Sequence, residues 1–271
     1  SEFKKKKFTP KETEEALRIY KGEENRRPEL AKLYSQYYPS VEERIKNTKE
    51  LQTIMSLFRT NDQVVSVNHA IRPYLFKPLT LKENDVVCKG EVLRVETTQH
   101  EEDDFDETNL YRGDSFVVVS EPIDLVEGFK EVTVKQLVKS YKSPFRYFFN
   151  LGFNKKNIVI WTGGLEDNIS KEVDKDGVPK EGYGSFVGDK ELDLRHKKAI
   201  ESLVELTGNS EKIEQSYRVS YDYAKVTYAA QGGEWDKVIV QAGDTWENHK
   251  DSKRYLYTAL TRGREEILLY T

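Results

Sequence analysis

Two stretches near the end of the chain decide the fold: residues 223–240, YAKVTYAAQGGEWDKVIV, and residues 255–270, YLYTALTRGREEILLY. Each begins with apolar residues at the spacing of one helix face and closes on a run typical of a buried strand, Val238–Val240 and Ile267–Tyr270. The helical positions are Tyr223, Val226, Thr227 and Ala230 in the first stretch and Tyr255, Leu256, Ala259 and Leu260 in the second. Helix, strand, helix, strand with glycine joints predicts a parallel α/β sheet.

Polar residues lie where these predicted elements end. The loop QGGE, residues 231–234, follows the first helical pattern, and Thr261-Arg262 ends the second. Because ligands of open parallel sheets collect at the loop ends of the strands, we expect site residues in both places.

The same loop and helix end resemble two known motifs. AQGGEWDKV, residues 230–238, resembles motif V of superfamily 1 helicases, AQGsEwD, and YLYTALTRGRE, residues 255–265, resembles their motif VI, LYvAlTRArE. They occur in the expected order and close together. The chain is therefore similar to the C-terminal, second RecA-like domain of a superfamily 1 DNA helicase, a UvrD-like helicase C-terminal domain of the Dda and RecD type with 5′-to-3′ polarity.

A third segment carries the same resemblance. Ile54–Phe58 predicts a strand, and apolar residues at helical spacing follow it, with Arg59-Thr60-Asn61 between the two. A helix start after a strand suits anion binding. The alternative is that Asn61 or Asp62 caps the helix and Arg59 pairs with a surface acid. The segment also resembles motif IV, an RTN followed by an amphipathic helix, with Asn68 and Arg72 as its trailing pair.

The composition limits the protein class. With 271 residues, 37% hydrophobic and 33% charged, and no apolar run near 18 residues, we expect a soluble, cytoplasmic protein without a membrane span or membrane partner. The net charge of −4 makes any nucleic-acid contact local. Cys88 is a nucleophile or, more commonly, a small buried residue in a strand. The histidines show no metal-ligand spacing, so no metal site is predicted.

The pattern of residues 77–140 differs from that of the preceding segment. Apolar and polar residues alternate, many are β-branched, and Arg112-Gly113-Asp114 is a hairpin-turn signal. They resemble the SH3-like insertion of the Dda and RecD group. The fold class expected is α/β, a RecA-like parallel sheet flanked by helices and interrupted by a small SH3-like β-barrel. The predicted segments are a charged helical leader (1–46), the first RecA-like part (47–80), the SH3-like β insertion (81–140), an irregular insertion (141–188) and the second RecA-like part with motifs V and VI (189–271).

Other patterns allow two interpretations each. The leader contains helical patterns at Pro10–Gly22 and Pro28–Tyr37, and Lys4–Lys7 is either a phosphate-contacting arm or a solvated segment. The acidic residues 101–107 suit a cation or a solvated hairpin tip. The aromatic stretch 143–153 suits base stacking or a core. Strand 158–161 and helix 189–206 are also predicted.

The resemblance implies a role for each site residue. Arg59 and Arg262 are expected to reach the γ-phosphate of ATP as arginine fingers. The other implied roles are contact with the nucleotide ribose by Glu234, linkage of nucleotide state to DNA grip by Gln231, Gly232 and Gly233, and hydrogen bonds to single-stranded DNA from Thr60, Asn61 and Thr227. Tyr228 and Ala229 stand where the family has His and Lys, so a lysine contact is lost while Tyr228 can pack on a base or sugar. Arg264 is expected to pair with Glu265 or Glu266.

A P-loop is absent from the sequence. Its lysine follows a glycine, and none of the 16 glycines is followed by lysine. The resemblance implies an ATP-dependent helicase with a role in DNA repair or replication, and without a P-loop here we expect its ATP and Mg to be bound mainly by an N-terminal RecA-like domain beyond this sequence. This fragment alone is expected to be inactive. The alternatives are a non-catalytic nucleic-acid-binding module with a helicase-like fold and an unrelated nucleotide-binding α/β protein.

Overall fold

A computed structural model gives the structure of most of the chain. The described residues are 17–20, 26–46, 54–76, 86–97, 110–138, 155–166, 188–207, 210–241 and 252–270. The stretches 4–7, 101–107 and 143–153, for which two interpretations were open, lie outside these ranges.

The strands and helices follow one another in chain order. They are β1 Leu17–Tyr20, α1 Arg26–Tyr37, α2 Val41–Lys46, β2 Ile54–Phe58, α3 Asn61–Leu75, β3 Val92–Thr97, β4 Ser115–Val118, β5 Ile123–Val126, β6 Phe129–Val138, β7 Lys156–Trp161, α4 Gly163–Glu166, α5 Asp189–Thr207, α6 Ser210–Glu214, β8 Tyr217–Tyr221, β9 Ala224–Val226, a 3₁₀ turn Thr227–Ala230, β10 Trp235–Gln241, α7 Ser252–Leu260 and β11 Gly263–Tyr270.

A five-stranded parallel sheet forms the first body, in the order β1-β11-β10-β2-β9. Alternate residues of its strands enter different cores. Ile54 and Phe58 of β2 join the core that contains residues of α1 and α3, whereas Met55 and Leu57 pack with residues of α7. Both faces of the sheet are therefore covered, as is usual for parallel sheets. The predicted RecA-like α/β fold is confirmed.

A closed five-stranded barrel forms the second body, in the cyclic order β3-β8-β7-β6-β4, and β5 pairs with the first residues of β6. This barrel confirms the small β-barrel expected between the two parts of the sheet. Its strands, however, do not all come from residues 81–140: β7 and β8 complete it from farther along the chain. Because β7 and β8 are parallel, a crossover must connect them, and α5 lies in that crossover.

The predicted second RecA-like part therefore begins later in the structure than residue 189. Helix α5 packs on the barrel, where Leu192 and Ile200 contact the core around Phe129 and Trp161. The parallel sheet resumes only at β9. The spacing of apolar residues identified α5 as a helix, but periodicity carries no information about which sheet a helix covers.

Two predicted helices are strands. The helical pattern at 223–230 is the strand β9 followed by a single 3₁₀ turn, because β9 completes the edge of the sheet by pairing with β2, Ser56 opposite Ala224. In the leader, Leu17–Tyr20 is not helical but pairs with β11. The helix predicted at Pro28–Tyr37 is confirmed as α1, and the strands at 54–58 and 158–161 are confirmed as β2 and β7.

The leader helices are joined to the body by a buried arginine. Arg44 is 1% exposed, and its guanidinium donates to the carbonyl oxygens of Pro39, Leu75 and Gly90 at 2.9, 3.1 and 2.9 Å. Its charge also lies over the rings of Tyr38 and Phe76. The charged composition of residues 26–46 therefore does not mean that all their charges are solvated.

Three further observations concern whole classes of function. No helix in the described ranges is long and apolar enough to cross a membrane. The same ranges contain no group of three histidine, cysteine or acidic residues placed to hold a metal ion. Cys88 is buried, and this burial together with the nearby charge of Glu91 raises the pKa of its thiol. Since a nucleophile requires the thiolate, the interpretation of Cys88 as a buried structural residue is favoured.

Candidate functional site

Arg59 lies where β2 ends and α3 begins. Thr60 caps the helix: its hydroxyl accepts from the backbone N–H of Gln63 at 3.3 Å, and its own N–H donates to Gln63 Oε1 at 3.2 Å. This reciprocal pair is a capping box, so the alternative in which Asn61 or Asp62 caps the helix is excluded. Thr60 and Asn61 are exposed, and Arg59 is half-buried.

The glycine loop and Arg262 are in direct contact. The Arg262 guanidinium donates to the carbonyl oxygens of Gly233 and Thr258, both at 3.2 Å, and to Thr261 Oγ1 at 3.1 Å. The carbonyl of Arg262 in turn accepts from the N–H of Trp235 at 2.9 Å. A guanidinium has five N–H donors, so two remain without a partner among the described residues.

Glycine is required at the two positions of the loop for different reasons. Gly232 has φ of +87°, in the region that side chains rarely adopt. A Cβ on Gly233 would lie 2.5 Å from the ring of Trp235, so the loop can follow this path only with glycine there. Gln231 and Glu234, on either side, are exposed and available to a ligand.

Arg59 and Arg262 lie at opposite ends of the parallel strands. Arg59 follows the carboxyl end of β2, whose Leu57 pairs with Val240, whereas Arg262 precedes Gly263, which pairs with Trp235. The five residue steps of β10 from Trp235 to Val240 correspond to about 17 Å. Helix α7 covers most of this distance, since Arg262 donates to the carbonyl of Thr258 in its last turn and the charge of Arg59 acts on Tyr255 near its first turn.

Tyr255 of α7 lies within the field of the Arg59 charge and was absent from the sequence-based site. Its side chain is 4% exposed, and burial raises the pKa of its hydroxyl. The Thr227 hydroxyl and the positive charge of Arg59 act on this pKa in the opposite direction. The helical spacing of residues 255–260 indicated only that this side chain faces the core, and no pattern indicated where its hydroxyl lies.

The two residues predicted to contact nucleic acid from the 3₁₀ turn have opposite environments. Thr227 is 1% exposed, and its hydroxyl donates to the carbonyl of Phe58 at 3.3 Å, so it is not accessible to a phosphate as the resemblance implied. Its place is structural, between β2 and α7. Tyr228 is 59% exposed and keeps a free ring face. Exposed aromatic rings are where bases of single strands stack.

The strand that leads into this turn is fixed by Asn68. Its Oδ1 accepts from the N–H groups of Tyr223 and Ala224 at 3.1 and 2.8 Å, and its Nδ2 donates to the carbonyl of Tyr221 at 2.9 Å. The side chain thereby ties α3 to the end of the barrel strand β8 and to the start of β9.

Arg72, one helical turn beyond Asn68, is also buried. It pairs with Glu91, which is 0% exposed, through Nε and a terminal nitrogen at 2.8–3.1 Å. Asn68 and Arg72, which correspond to the trailing pair of motif IV, are therefore buried residues that hold α3 against its neighbours and do not face a ligand.

Arg264 has a different partner from the one expected. It pairs with Asp236 of the neighbouring strand at 2.7 Å, while Glu266 lies 3.5 Å from Lys237. Side chains of directly successive residues point to opposite faces, which separates Arg264 from Glu265. Residues two apart, such as Arg264 and Glu266, are about 7 Å apart along a strand, whereas residues opposite each other on adjacent strands are about 5 Å apart.

The fold places the protein in the class of RecA-like α/β sheets that are interrupted by a small β-barrel. Its candidate site combines an exposed polar loop with two arginines near the two ends of α7. The family comparison then shows which domain the last part of the chain resembles. Residues 223–270 match the family of UvrD-like helicase C-terminal domains. The resemblance to the C-terminal domain of a superfamily 1 helicase is thereby confirmed.

Other comparisons add little. A crystal structure of a Pif1 helicase from Bacteroides aligns with 90% of this chain at 12% identity and a TM-score of 0.28. The alignment covers 46% of that helicase chain, so this chain spans about half its length. No curated protein matches the sequence.

Proposed function

We propose that this chain is the C-terminal half of an ATP-dependent superfamily 1 DNA helicase and is inactive as an ATPase alone. The proposal rests on the hydrogen bond from Arg262 to the carbonyl of Gly233. This hydrogen bond joins the end of the helix that resembles motif VI to the loop that resembles motif V, and both lie inside the segment matched by the family. A helix end and a glycine loop held together in this way move as one unit against a nucleotide.

In this proposal, ATP with Mg is bound mainly by an N-terminal RecA-like domain, and this chain closes the site from the other side. Arg262 donates its two remaining N–H groups to the γ-phosphate, where negative charge develops during phosphoryl transfer. Arg59 approaches from the first turn of α7. The exposed carboxylate of Glu234 accepts from a ribose hydroxyl, and Gln231 and the loop glycines pass the nucleotide state to the nucleic-acid side.

Single-stranded DNA is the proposed second ligand. Tyr228 offers a ring for base stacking, and exposed Thr60 and Asn61 offer polar groups for phosphates. We expect Tyr228→Ala to weaken binding of an oligonucleotide by the protein by about 1–3 kcal/mol, the usual value of one stacked base. Fluorescence anisotropy with a labelled oligonucleotide measures this, and Tyr257→Ala, a change at an exposed tyrosine of α7, is the matched control.

The test of the enzymatic proposal uses this chain joined to its upstream half. DNA-stimulated ATP hydrolysis is measured for the parent protein and for Arg262→Ala, and loss of a finger typically costs about a thousandfold or more in kcat. A kcat of Arg262→Ala close to the parent value would refute the assignment of Arg262 as an arginine finger.

The second candidate is a non-catalytic nucleic-acid-binding module with a helicase-like fold. Tyr228 and Ala229, in place of the usual His and Lys, favour it. A protein that binds single-stranded DNA but shows no ATP hydrolysis with its upstream half attached would select this candidate.

A further inference from the structure

One hydrophobic core runs through both the parallel sheet and the barrel. Ile54 and Phe58 of the sheet belong to the same buried cluster as Leu93, Phe116 and Val219 of the barrel. Two units of one chain are expected to move relative to each other unless the interface between them is large and hydrophobic. The shared core therefore opposes rotation of the barrel on the sheet.

The chain returns from the barrel to the sheet through a short connection, residues 221–224, whose backbone is bonded to both units. The N–H of Asp222 donates to the carbonyl of Val92 in β3 at 3.1 Å. The carbonyl of Tyr223 accepts from the N–H of Ser56 in β2 at 3.3 Å. Adjacent residues of the connection are thus fixed to opposite units.

Asn68 of α3 spans the whole connection. Its amide donates to the carbonyl of Tyr221 at 2.9 Å and accepts from the N–H groups of Tyr223 and Ala224 at 3.1 and 2.8 Å. A hinge works by large changes of φ and ψ at a few residues, and such changes at 221–224 would break these bonds. Because the groups are buried, each one left without a partner lowers the population of a rotated state by about tenfold or more.

The side chain of Asp222 adds a second link between the two units. Its Oδ2 accepts from the hydroxyl of Ser115 in the barrel strand β4, and its Oδ1 lies 2.9 Å from Nζ of Lys225 in β9, the edge strand of the sheet. Asp222 is buried, so this ion pair is only weakly screened by salt. One carboxylate therefore joins a barrel strand to a sheet strand.

We propose that the barrel and the parallel sheet move as one rigid body, locked at residues 221–224 by Asn68 and Asp222. β9 continues directly into the 3₁₀ turn that presents Tyr228, so the barrel also keeps a fixed position relative to this ring. The functional meaning rests on the proposed function: when the sheet moves against a nucleotide, the barrel follows it, and a base stacked on Tyr228 stays at a constant distance from the barrel.

The first measurement is the distance between two spin labels on the 271-residue chain, by double electron–electron resonance, and it requires neither ATP nor DNA. Labels at Lys198→Cys on α5 and Tyr257→Cys on α7 report on barrel and sheet. Labels at Lys32→Cys on α1 and Tyr257→Cys form the control pair, since both helices cover the sheet. The three labelled positions are exposed, whereas the native Cys88 is buried.

We expect the barrel–sheet pair to give a single distance distribution that is no wider than that of the control pair. A second population, or a distribution wider than the control, overturns the inference that the two units form one body.

Two variants test the lock itself. We expect Asn68→Ala and Asp222→Ala each to widen the barrel–sheet distribution about twofold and to leave the control pair unchanged, because they remove bonds that only a rotation would otherwise break. Asp124→Ala, which removes a carboxylate that is 79% exposed, is the matched control for Asp222→Ala. Asp222→Ala decides alone if Asn68→Ala does not fold. Unchanged widths in the variants that fold overturn the locking role of these residues.

The second measurement repeats the barrel–sheet distance in the protein joined to its upstream half. We expect the same distance without ligand, with a non-hydrolysable ATP analogue, and with the analogue and an oligonucleotide together. A shift on addition of either ligand overturns the rigid coupling. If the joined protein binds neither ligand, the proposed function is refuted, and the first measurement alone decides the inference.

Discussion

The buried ion pair of Arg72 and Glu91 holds together the elements beneath the candidate site. Replacing Glu91 by glutamine tests how much this pair contributes to stability. Arg72 donates to Glu91 Oε1 and Oε2 at 2.8–3.1 Å, and both residues are buried. The hydroxyl of Tyr223 donates to Glu91 Oε1 at 2.7 Å, and the thiol of Cys88 donates to Oε2 at 3.2 Å. One carboxylate therefore joins α3, the start of β3 and the residue before β9.

Glu91→Gln keeps the size of the side chain but removes its charge, so the guanidinium of Arg72 remains buried without a counter-charge. Removing one partner of a buried pair costs about 3–5 kcal/mol in the free energy of unfolding. The exposed pair of Arg264 and Asp236 is the control, since Asp236→Asn there costs about 0.2–1 kcal/mol.

Urea unfolding of the chain, followed by circular dichroism, measures both losses. Adding Arg72→Met to Glu91→Gln removes the uncompensated charge, so the double variant is expected to be no less stable than the single one. A loss below 1 kcal/mol for Glu91→Gln, or a double variant much less stable than Glu91→Gln, refutes the reasoning that an unpaired buried charge determines the loss.

Two further outcomes follow from buried polar groups. Asn68→Ala orphans the N–H groups of Tyr223 and Ala224, so we expect a loss of about 3 kcal/mol in urea unfolding and a smaller loss for Asn68→Asp, which keeps the accepting oxygen; equal losses contradict this. Burial, and secondarily the charge of Arg218, lowers the pKa of His196 to about 4, below its unfolded value of about 6.5, so the neutral ring stabilises the fold above pH 6.5 and this contribution is lost as the pH falls toward 4. The loss is about 3 kcal/mol at most, and His196→Gln should flatten this part of the stability profile; an unchanged profile contradicts the assignment.

The middle of the sheet was predictable because its signals are local. Strands β2, β10 and β11 contain short apolar runs, and the helices α3 and α7 show apolar residues at helical spacing. The edge strands β1 and β9 fell within segments predicted as helices. The cap of α3 was also readable: Thr60 followed three residues later by Gln63 is a capping-box pattern, although the alternative considered for this segment placed the cap at Asn61 or Asp62.

The barrel was only partly predictable because its closure is non-local. β7 contains an apolar run, whereas β8 includes Arg218 and Ser220, and nothing in the composition of either strand indicates that they pair with each other or with β3 and β6. The strand β9 is three residues long, too short for alternation to separate it from a helical pattern.

The candidate site was predictable where a motif marked it and not where a partner is distant in sequence. The loop 231–234 and Arg262 carried a recognisable pattern. The buried position of Thr227 and the hydroxyl of Tyr255 depend on how β2, the 3₁₀ turn and α7 meet, which is decided by packing across the sheet.

The most direct test of the central claim compares two neighbouring arginines in the protein joined to its upstream half. Arg262 contacts the glycine loop, whereas Arg264, two residues later, is exposed and pairs with Asp236. DNA-stimulated ATP hydrolysis is measured for Arg262→Ala and Arg264→Ala. We expect kcat to fall about a thousandfold for Arg262→Ala and to stay within about twofold of the parent for Arg264→Ala. Equal effects of the two changes, or full turnover without Arg262, contradict the assignment of Arg262 as the residue that meets the phosphate.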